Sequence, residues 1–298
     1  MRDGQSDLPD WRRASPVRID RALQRALAKP SGGWYVLGAS RALAPGPRRH
    51  QVDGRWLVAW RGADGTVRVA PDACPHMGAS LARGRVDGAC LVCPWHGLAL
   101  GDDGHGAWAT VPAHDDGVLV WARLGTAEEA TPAPILPKRP DAAIDAVLHV
   151  EGRCEPRDVI ANRLDPWHGV HFHPYSFAAL TVTEATDDEL RLEVTYRLGP
   201  IRFPVRATFA CPEPRTIVMT ITGGEGEGSV VETHATPVAP GRTAIIEATL
   251  ASSPRRGFAH ATRFPAPIRW AMRRAAAKLW VDDTAYAERL YALRQGEA

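Results

Sequence analysis

The feature that most constrains this 298-residue chain is a pair of short segments that each carry one cysteine and one histidine. Cys74 and His76 have one residue between them, Cys93 and His96 have two, and sixteen residues separate the pairs. Proline and glycine accompany both pairs, which indicates tight turns. Two thiols and two imidazoles at this spacing predict a bound metal centre.

The mixed donor set narrows the kind of metal centre. In a [2Fe–2S] cluster, two thiolates can hold one iron and two neutral imidazoles the other, which raises the reduction potential above that of an all-cysteine cluster. The alternative is a structural zinc ion held by Cys74, Cys93 and His96 together with either His76 or Cys90. Zinc sites usually have two or more residues inside each pair. Cys90 lies in an apolar run and is interpreted as a buried thiol.

The two pairs, with Gly78 after the first and Gly97 after the second, resemble the Rieske motif. The similarity covers residues 32–125, where short β-type runs such as 34–39, 55–60 and 90–93 alternate with Gly, Asp and Pro. The resemblance implies a small all-β domain with a Rieske [2Fe–2S] cluster. The ligands that it implies are Cys74, His76, Cys93 and His96.

The kind of Rieske protein follows from two further positions. Ala79 and Trp95 stand where Rieske proteins of respiratory complexes usually have two more cysteines. The respiratory type is therefore excluded, and an oxygenase or a soluble ferredoxin relative is indicated.

A second group of potential metal ligands follows in a helix predicted at about 156–172. The group comprises Asn162, Asp165, His168 and His171, together with His173 just beyond the predicted end. Two histidines and one carboxylate form the facial site of non-haem Fe(II) oxygenases. The pattern Asn-x2-Asp-x2-His-x4-His resembles the mononuclear-iron motif of Rieske non-haem iron oxygenases.

The second histidine ligand can be chosen in two ways. His168 and His171 would share one face of a regular helix. Pro174, however, disfavours a helical conformation at His173, so the helix should end before that residue. We therefore favour His168 and His173 as ligands, with His171 as the alternative to His173.

The third ligand should be a carboxylate far along the chain. The resemblance implies an aspartate in an acidic pair, followed about five residues later by Glu or Gln. Asp283 with Glu288 matches this pattern, and Asp282 remains the alternative. Catalytic roles are implied for Asn162 and Asp165. Asp165 resembles the aspartate that bridges an iron-ligand histidine to a Rieske histidine of the next subunit, which implies a head-to-tail homotrimer.

The rest of the pattern predicts an α+β protein with four segments. These are an N-terminal arm and helix (1–31), the Rieske domain (32–125), a proline-rich linker (126–140) and a catalytic mononuclear iron domain (141–298). In the last segment, strands predicted at 144–150, 189–197, 201–210, 214–222, 228–236 and 242–251 precede a helix at 266–292. Such an order favours an antiparallel sheet with helices on one face. The resemblance implies the helix-grip, START-like fold.

The predicted function is a Rieske mono- or dioxygenase that hydroxylates, demethylates or dihydroxylates an apolar aromatic, sterol or isoprenoid-like substrate with O2. The alternative is a Rieske electron carrier or a lipid-binding module with a non-catalytic second domain. No flavin or nicotinamide motif is present, so a separate ferredoxin or flavin reductase should supply electrons. The net charge of +2 gives no indication of nucleic acid. Without an export signal or an apolar membrane segment, a cytoplasmic location is expected.

Overall fold

The computed structural model describes residues 9–44, 46–125, 130–255 and 257–297. The described chain divides into two compact units. The N-terminal unit comprises Ser31–Ile135 and Thr236–Ala244, and the C-terminal unit comprises the other described residues. Residues 1–8 of the predicted arm, residues 126–129 of the predicted linker and residue 298 lie outside the described residues.

The N-terminal unit is built from short antiparallel sheets, as predicted. Three three-stranded sheets have the strand orders β1-β9-β8, β2-β3-β4 and β5-β6-β7. The strands are β1 Trp34–Ala39, β2 Arg48–Val52, β3 Arg55–Arg61, β4 Val67–Pro71, β5 Arg85–Asp87, β6 Cys90–Val92, β7 Ala99–Leu100, β8 Ala113–Asp115 and β9 Leu119–Arg123. Asp53 and Gly54 join β2 to β3 in a two-residue hairpin, where both residues have positive φ, as primed turns require.

The core of the N-terminal unit lies directly behind the two cysteines of the Rieske-like motif. Cys74 and Cys93 pack in one apolar cluster with Trp60 and Trp108. Each indole N–H in this cluster donates to a backbone carbonyl, at 3.0 Å from Trp60 and 2.9 Å from Trp108. Buried indoles that are hydrogen-bonded cost little to bury, so the cysteines lie on a well-packed support.

A seven-stranded antiparallel sheet, most of which belongs to the C-terminal unit, has the order β10-β16-β15-β14-β13-β12-β11. Its strands are β10 Ile144–Gly152, β11 Phe177–Ala185, β12 Glu189–Leu198, β13 Ile201–Glu213, β14 Thr216–Gly224, β15 Val230–Ala239 and β16 Arg242–Ala251. The helices are α1 Asp10–Arg13, α2 Pro16–Leu27, α3 Pro156–Arg163, α4 His168–Phe172, α5 Phe258–Ala261 and α6 Pro265–Gln295. The predicted α+β class is confirmed, although the prediction missed β11. None of the helices in the described part of the chain combines the length and the apolar character needed to cross a bilayer.

The single helix predicted at about 156–172 is wrong, because the structure divides this segment into α3 and α4. Pro166 disfavours a helical conformation at Asp165 and has no N–H to donate, which explains the break. The second helix ends at Phe172, and His173 has φ −122° and ψ 53°, outside the helical region. The break between α3 and α4 changes the direction of the chain. As a result, Asn162 before the break and His168 after it both contact Asp283.

Candidate metal centres

The two cysteine–histidine segments form loops of nearly equal geometry. In each loop the cysteine N–H donates to the carbonyl five residues later, at 2.9 Å in both cases. Each cysteine carbonyl accepts from a glycine N–H four residues later, at 2.8 Å for Cys74 and 3.1 Å for Cys93. Gly78 and Gly97 have φ of +79° and +74°, which L side chains rarely adopt. The glycines therefore close both loops.

The side chains of the two loops provide a donor set that fits a Rieske cluster. The thiols of Cys74 and Cys93 are free and buried, whereas the rings of His76 and His96 are exposed. The Nδ1 atoms of these two histidines lie 3.2 Å apart. Two thiols toward the core and two imidazole nitrogens at the surface match a [2Fe–2S] cluster with one histidine-bound iron. The alternative zinc donor Cys90 makes up β6 with Leu91 and Val92.

The buried side chain of Asp72 stabilises the start of the loop that contains Cys74 and His76. Its side chain is 2% exposed. Its carboxylate accepts from the Ser80 hydroxyl and the Ala82 N–H, both at 2.8 Å. The Arg49 Nε lies 2.8 Å from the same carboxylate. One buried anion thus ties residues on both sides of Cys74 together.

We expect Asp72→Ala to destabilise the N-terminal unit by about 2 kcal/mol, because two half-buried donors, Ser80 and Ala82, and the exposed Arg49 lose their acceptor. The measurement is the temperature at which the visible absorption of the cluster is lost. Asp87→Ala is the matched control, since Asp87 is an exposed aspartate paired to Arg85 with 68% of its side chain accessible. Equal loss temperatures in both variants would show that Asp72 does not support the loop.

The second predicted group converges on one carboxylate oxygen. The Nε2 atoms of His168 and His173 lie 3.2 and 3.0 Å from Oδ1 of Asp283. One potential ligand atom from each of these residues lies within 4.8 Å of the other two. His173 and Asp283 are 2% and 1% exposed. We call this group the His–His–Asp triad; its two nitrogens and one oxygen are the donor set of a facial non-haem iron site.

Each member of the triad comes from a different local setting. His168 begins α4, directly after the Asp165–Pro166 break. His173 follows the end of the same helix, and Asp283 lies on the inner face of α6. The two histidines are five residues apart and would diverge on a regular helix. The non-helical backbone at His173 brings them together.

The electrostatic setting of Asp283 favours its ionised form. Burial raises the pKa of Asp283, but the contacts with His168 and His173 and the charge of Arg163 outweigh burial, so the pKa lies below its ordinary range. Asn162 Nδ2 donates to Oδ1 at 3.1 Å, and Arg163 Nη1 lies 3.9 Å from Oδ2. A buried carboxylate that is already ionised suits a cation ligand.

The outer nitrogen of each triad histidine faces a carboxylate. His173 Nδ1 lies 3.3 Å from Asp282 Oδ2, which also accepts from the Tyr175 hydroxyl at 2.6 Å. His168 Nδ1 lies 3.8 Å from Asp165 Oδ2. Carboxylates behind imidazole ligands orient the rings and raise their basicity. Asp282, the alternative ligand, therefore lies behind His173 rather than within the triad.

Other predicted residues lie away from the triad. His171 is exposed, and its Nε2 lies 3.0 Å from Asp10 Oδ2. Glu288 accepts the backbone N–H of Arg153 at 2.8 Å and so caps the end of β10. The structure thus brings together His168, His173 and Asp283, with Asn162 in contact and Asp165 behind His168.

A cavity of about 340 Å³ opens beside the triad within the C-terminal unit. Its walls come mainly from the inner faces of β12 to β16 and from α6, and they are largely apolar. Two charged residues outside the triad, Arg163 and Glu247, also line it. Glu247 was not among the residues predicted for the site, although a single acid in the largely apolar run 244–250 is a visible signal. A cavity of this size and lining is typical of a small-molecule site.

Two family comparisons cover the described units. Residues 33–127 match the Rieske [2Fe-2S] domain, and residues 125–298 match a domain of unknown function, DUF5914. The oxygenase component of chloroacetanilide N-alkylformylase from Rhizorhabdus wittichii is 30% identical over 55% of this chain and 53% of its own length. The vanillate O-demethylase oxygenase subunit of a Pseudomonas species is 28% identical over 52% of this chain and 48% of its own. The chain spans about half the length of these curated relatives.

Solved structures match over nearly the whole chain. Dicamba monooxygenase bound to dicamba gives a TM-score of 0.67 at 19% identity, covering 90% of each chain. The terminal oxygenase of carbazole 1,9a-dioxygenase from Novosphingobium sp. KA1 gives 0.60 at 17% identity, covering 96% of this chain and 90% of its own. At such identities the likeness establishes a shared fold.

Proposed function

We propose that this chain, which belongs to the DUF5914 family and carries a Rieske [2Fe–2S] domain, is the oxygenase component of a Rieske non-haem iron system. The predicted kinship with Rieske oxygenases is confirmed by the matching domain, relatives and structures. We further propose an apolar aromatic, sterol or isoprenoid-like substrate, oxidised with O2.

The observation that carries the proposal is the His–His–Asp triad beside an apolar cavity, in a chain that also has the Rieske donor set. An electron carrier needs only the Rieske set. A lipid-binding module needs only the cavity. Three ligand-type side chains at the edge of the cavity, two of them buried and one half-buried, support catalysis over both alternatives.

In this proposal, each group of site residues has a separate role. Cys74, His76, Cys93 and His96 would hold the cluster, and His168, His173 and Asp283 would hold mononuclear iron. When bound, these groups supply electron transfer and O2 activation. Asn162 holds the Asp283 carboxylate in place through its 3.1 Å hydrogen bond. The apolar walls position the substrate and exclude water from the reacting centre.

The test is oxygen incorporation. The metal-loaded protein would be reduced chemically, mixed with ¹⁸O2 and a panel of apolar substrates, and the products analysed by mass spectrometry. We expect one ¹⁸O atom, or two, in a product that His168→Ala fails to form. Its matched control is His171→Ala, which changes an exposed histidine outside the triad. Equal incorporation by wild type and His168→Ala would contradict the proposal.

We also propose that Asp165 connects the two metal sites and that the chain acts as a homotrimer supplied by a separate ferredoxin or flavin reductase. Asp165 Oδ2 accepts from the Tyr286 hydroxyl at 3.1 Å. Its other oxygen, Oδ1, is buried and has no hydrogen-bond partner among the residues described. A carboxylate oxygen without a partner, on the residue that faces His168, supports the bridging role.

Asp165→Asn should retain the metal content of both sites but lower turnover by about 10- to 100-fold, the usual effect of losing a partner behind a ligand. Iron analysis and product formation together measure this. The control is Asp187→Asn, which alters an aspartate paired with the exposed Arg21. Wild-type turnover in Asp165→Asn would exclude the connecting role.

A further inference from the structure

The cavity beside the triad has one acid whose function the proposed iron site does not explain. Glu247 lies on β16 within the apolar run 244–250, and its side chain lines the cavity. Only 7% of Glu247 is exposed. The other charged lining residue, Arg163, is already engaged with Asp283 and lies over the ring of Phe209, 5.6 Å from its centroid.

The protein offers Glu247 hydrogen-bond donors. Trp280 Nε1 donates to Oε2 at 2.7 Å, and the Thr249 hydroxyl lies 3.5 Å from Oε1. Within the described ranges, no Lys, Arg or His nitrogen lies within ion-pair distance of this carboxyl. The Thr249 hydroxyl could accept a carboxylic acid proton, but at 3.5 Å it is too distant for a strong hydrogen bond. A buried acid that is not ion-paired is costly unless a ligand completes its hydrogen bonding.

The missing partner can be deduced from the two states of the acid. Burial raises the pKa of Glu247 above its ordinary value, and the charge of Arg163 offsets this rise only in part. As a carboxylate, the side chain needs a donor from the ligand. As a carboxylic acid, it needs an acceptor. A hydroxyl group meets both needs, whereas a carbonyl or an ammonium group meets only one of them.

We infer that Glu247 binds a hydroxyl group of an otherwise apolar substrate, so that the cavity selects an alcohol or a phenol over the hydrocarbon of the same skeleton. This inference rests on the proposed function, because it assumes that the cavity holds the substrate. Trp280 precedes Asp283 by three residues on α6, a rise of about 4.5 Å. Glu247 and Asp283 line the same cavity, so a hydroxyl held by Glu247 would fix one end of the substrate relative to the triad.

The test is calorimetric binding to the metal-loaded protein, without turnover. Matched pairs differ only by the hydroxyl group: 2-naphthol and naphthalene, indan-5-ol and indane, borneol and camphane. We expect at least one alcohol to bind about tenfold or more tightly than its hydrocarbon, as a hydrogen bond to an acidic group requires. Glu247→Leu should reduce that ratio to about one, and Glu247→Gln, whose amide can still pair with a hydroxyl, should keep most of it.

Two controls separate recognition from folding. Glu247→Leu leaves the Trp280 N–H unpaired, so far-UV circular dichroism and thermal unfolding must show that the variant is folded. Met219→Leu, another change in the cavity wall, should alter the affinities of alcohol and hydrocarbon alike.

The inference is overturned if no alcohol binds better than its hydrocarbon, or if the preference survives in Glu247→Leu. Tighter binding of 2-naphthoate than of 2-naphthol would overturn it too, because that result would make Arg163 the recognition group. Each of these results concerns binding alone. The ¹⁸O2 experiment tests the oxygenase proposal separately, so the two failures are distinguishable.

Discussion

Replacing Asp283 with alanine should abolish iron binding at the His–His–Asp triad while leaving the visible absorption of the [2Fe–2S] cluster unchanged. Asp283 Oδ1 is the point on which both histidine Nε2 atoms and Asn162 converge. Without it, only two imidazoles remain as ligands beside an apolar cavity. The loss of affinity should exceed the roughly 10- to 100-fold effect of removing a residue behind a ligand. Anaerobic titration of Fe(II) into the metal-depleted protein measures it.

Asp282→Ala is the matched control, because the same charge is removed one residue away. Asp282 lies 3.3 Å from the outer nitrogen of His173 and is one-third exposed at its side chain. We expect Asp282→Ala to weaken iron binding by no more than about 100-fold. If Asp282→Ala weakened iron binding more than Asp283→Ala does, Asp282 rather than Asp283 would be the iron ligand.

The second large effect is expected at a buried ion pair that contains none of the proposed site residues. Arg139 donates from Nε and Nη2 to both oxygens of Glu232, at 2.6 and 2.7 Å. Glu232 is fully buried on β15, and His234 Nε2 lies 3.1 Å from the same carboxylate. Burial raises the pKa of Glu232, but Arg139 and His234 outweigh it, so the pKa is lowered. Its contribution to stability is therefore complete at neutral pH and is lost as the pH falls through the lowered value.

We expect Arg139→Met to destabilise the C-terminal unit by about 3–5 kcal/mol, since the variant leaves a buried carboxylate without its cation. Urea unfolding followed by far-UV circular dichroism measures this, with cluster absorption reporting the N-terminal unit separately. Arg139→Met combined with Glu232→Met should recover most of the loss, because the desolvation cost disappears with the charge. Arg85→Met, at an exposed pair, should change stability by less than about 0.5 kcal/mol. If Arg139→Met and Arg85→Met lowered the free energy of unfolding by similar amounts, burial of the Arg139–Glu232 pair would not explain its effect.

Local features of the chain were predictable from the sequence. The cysteine and histidine spacings lie within single loops, and Gly78 and Gly97 set the turns that these loops need. Pro174 correctly indicated that the helix would end before His173. Pro166 carried the same kind of signal for the break at Asp165, and the prediction of one continuous helix overlooked it. Short-range steric rules explain each of these features.

Features that depend on contacts between distant segments were not predictable. The family resemblance favoured Asp283 over its neighbour Asp282, but local sequence rules could not decide between them. Only the packing of α6 determines which carboxylate meets the Nε2 atoms of both histidines. The proline-rich segment 126–140 shows no periodicity, yet Arg139 forms a buried ion pair with β15. Glu247 becomes significant only when β16 and Trp280 on α6 enclose it. Tertiary packing, rather than local propensity, determines all three.

The measurement that tests the central claim most directly is the iron and acid-labile sulfide content of the purified, reconstituted wild-type chain. A Rieske cluster with a mononuclear site predicts about three iron atoms and two sulfides per chain. A chain that binds only the cluster would contain about two of each. Two iron atoms per chain after reconstitution, with no oxygen uptake under any reductant, would contradict the account.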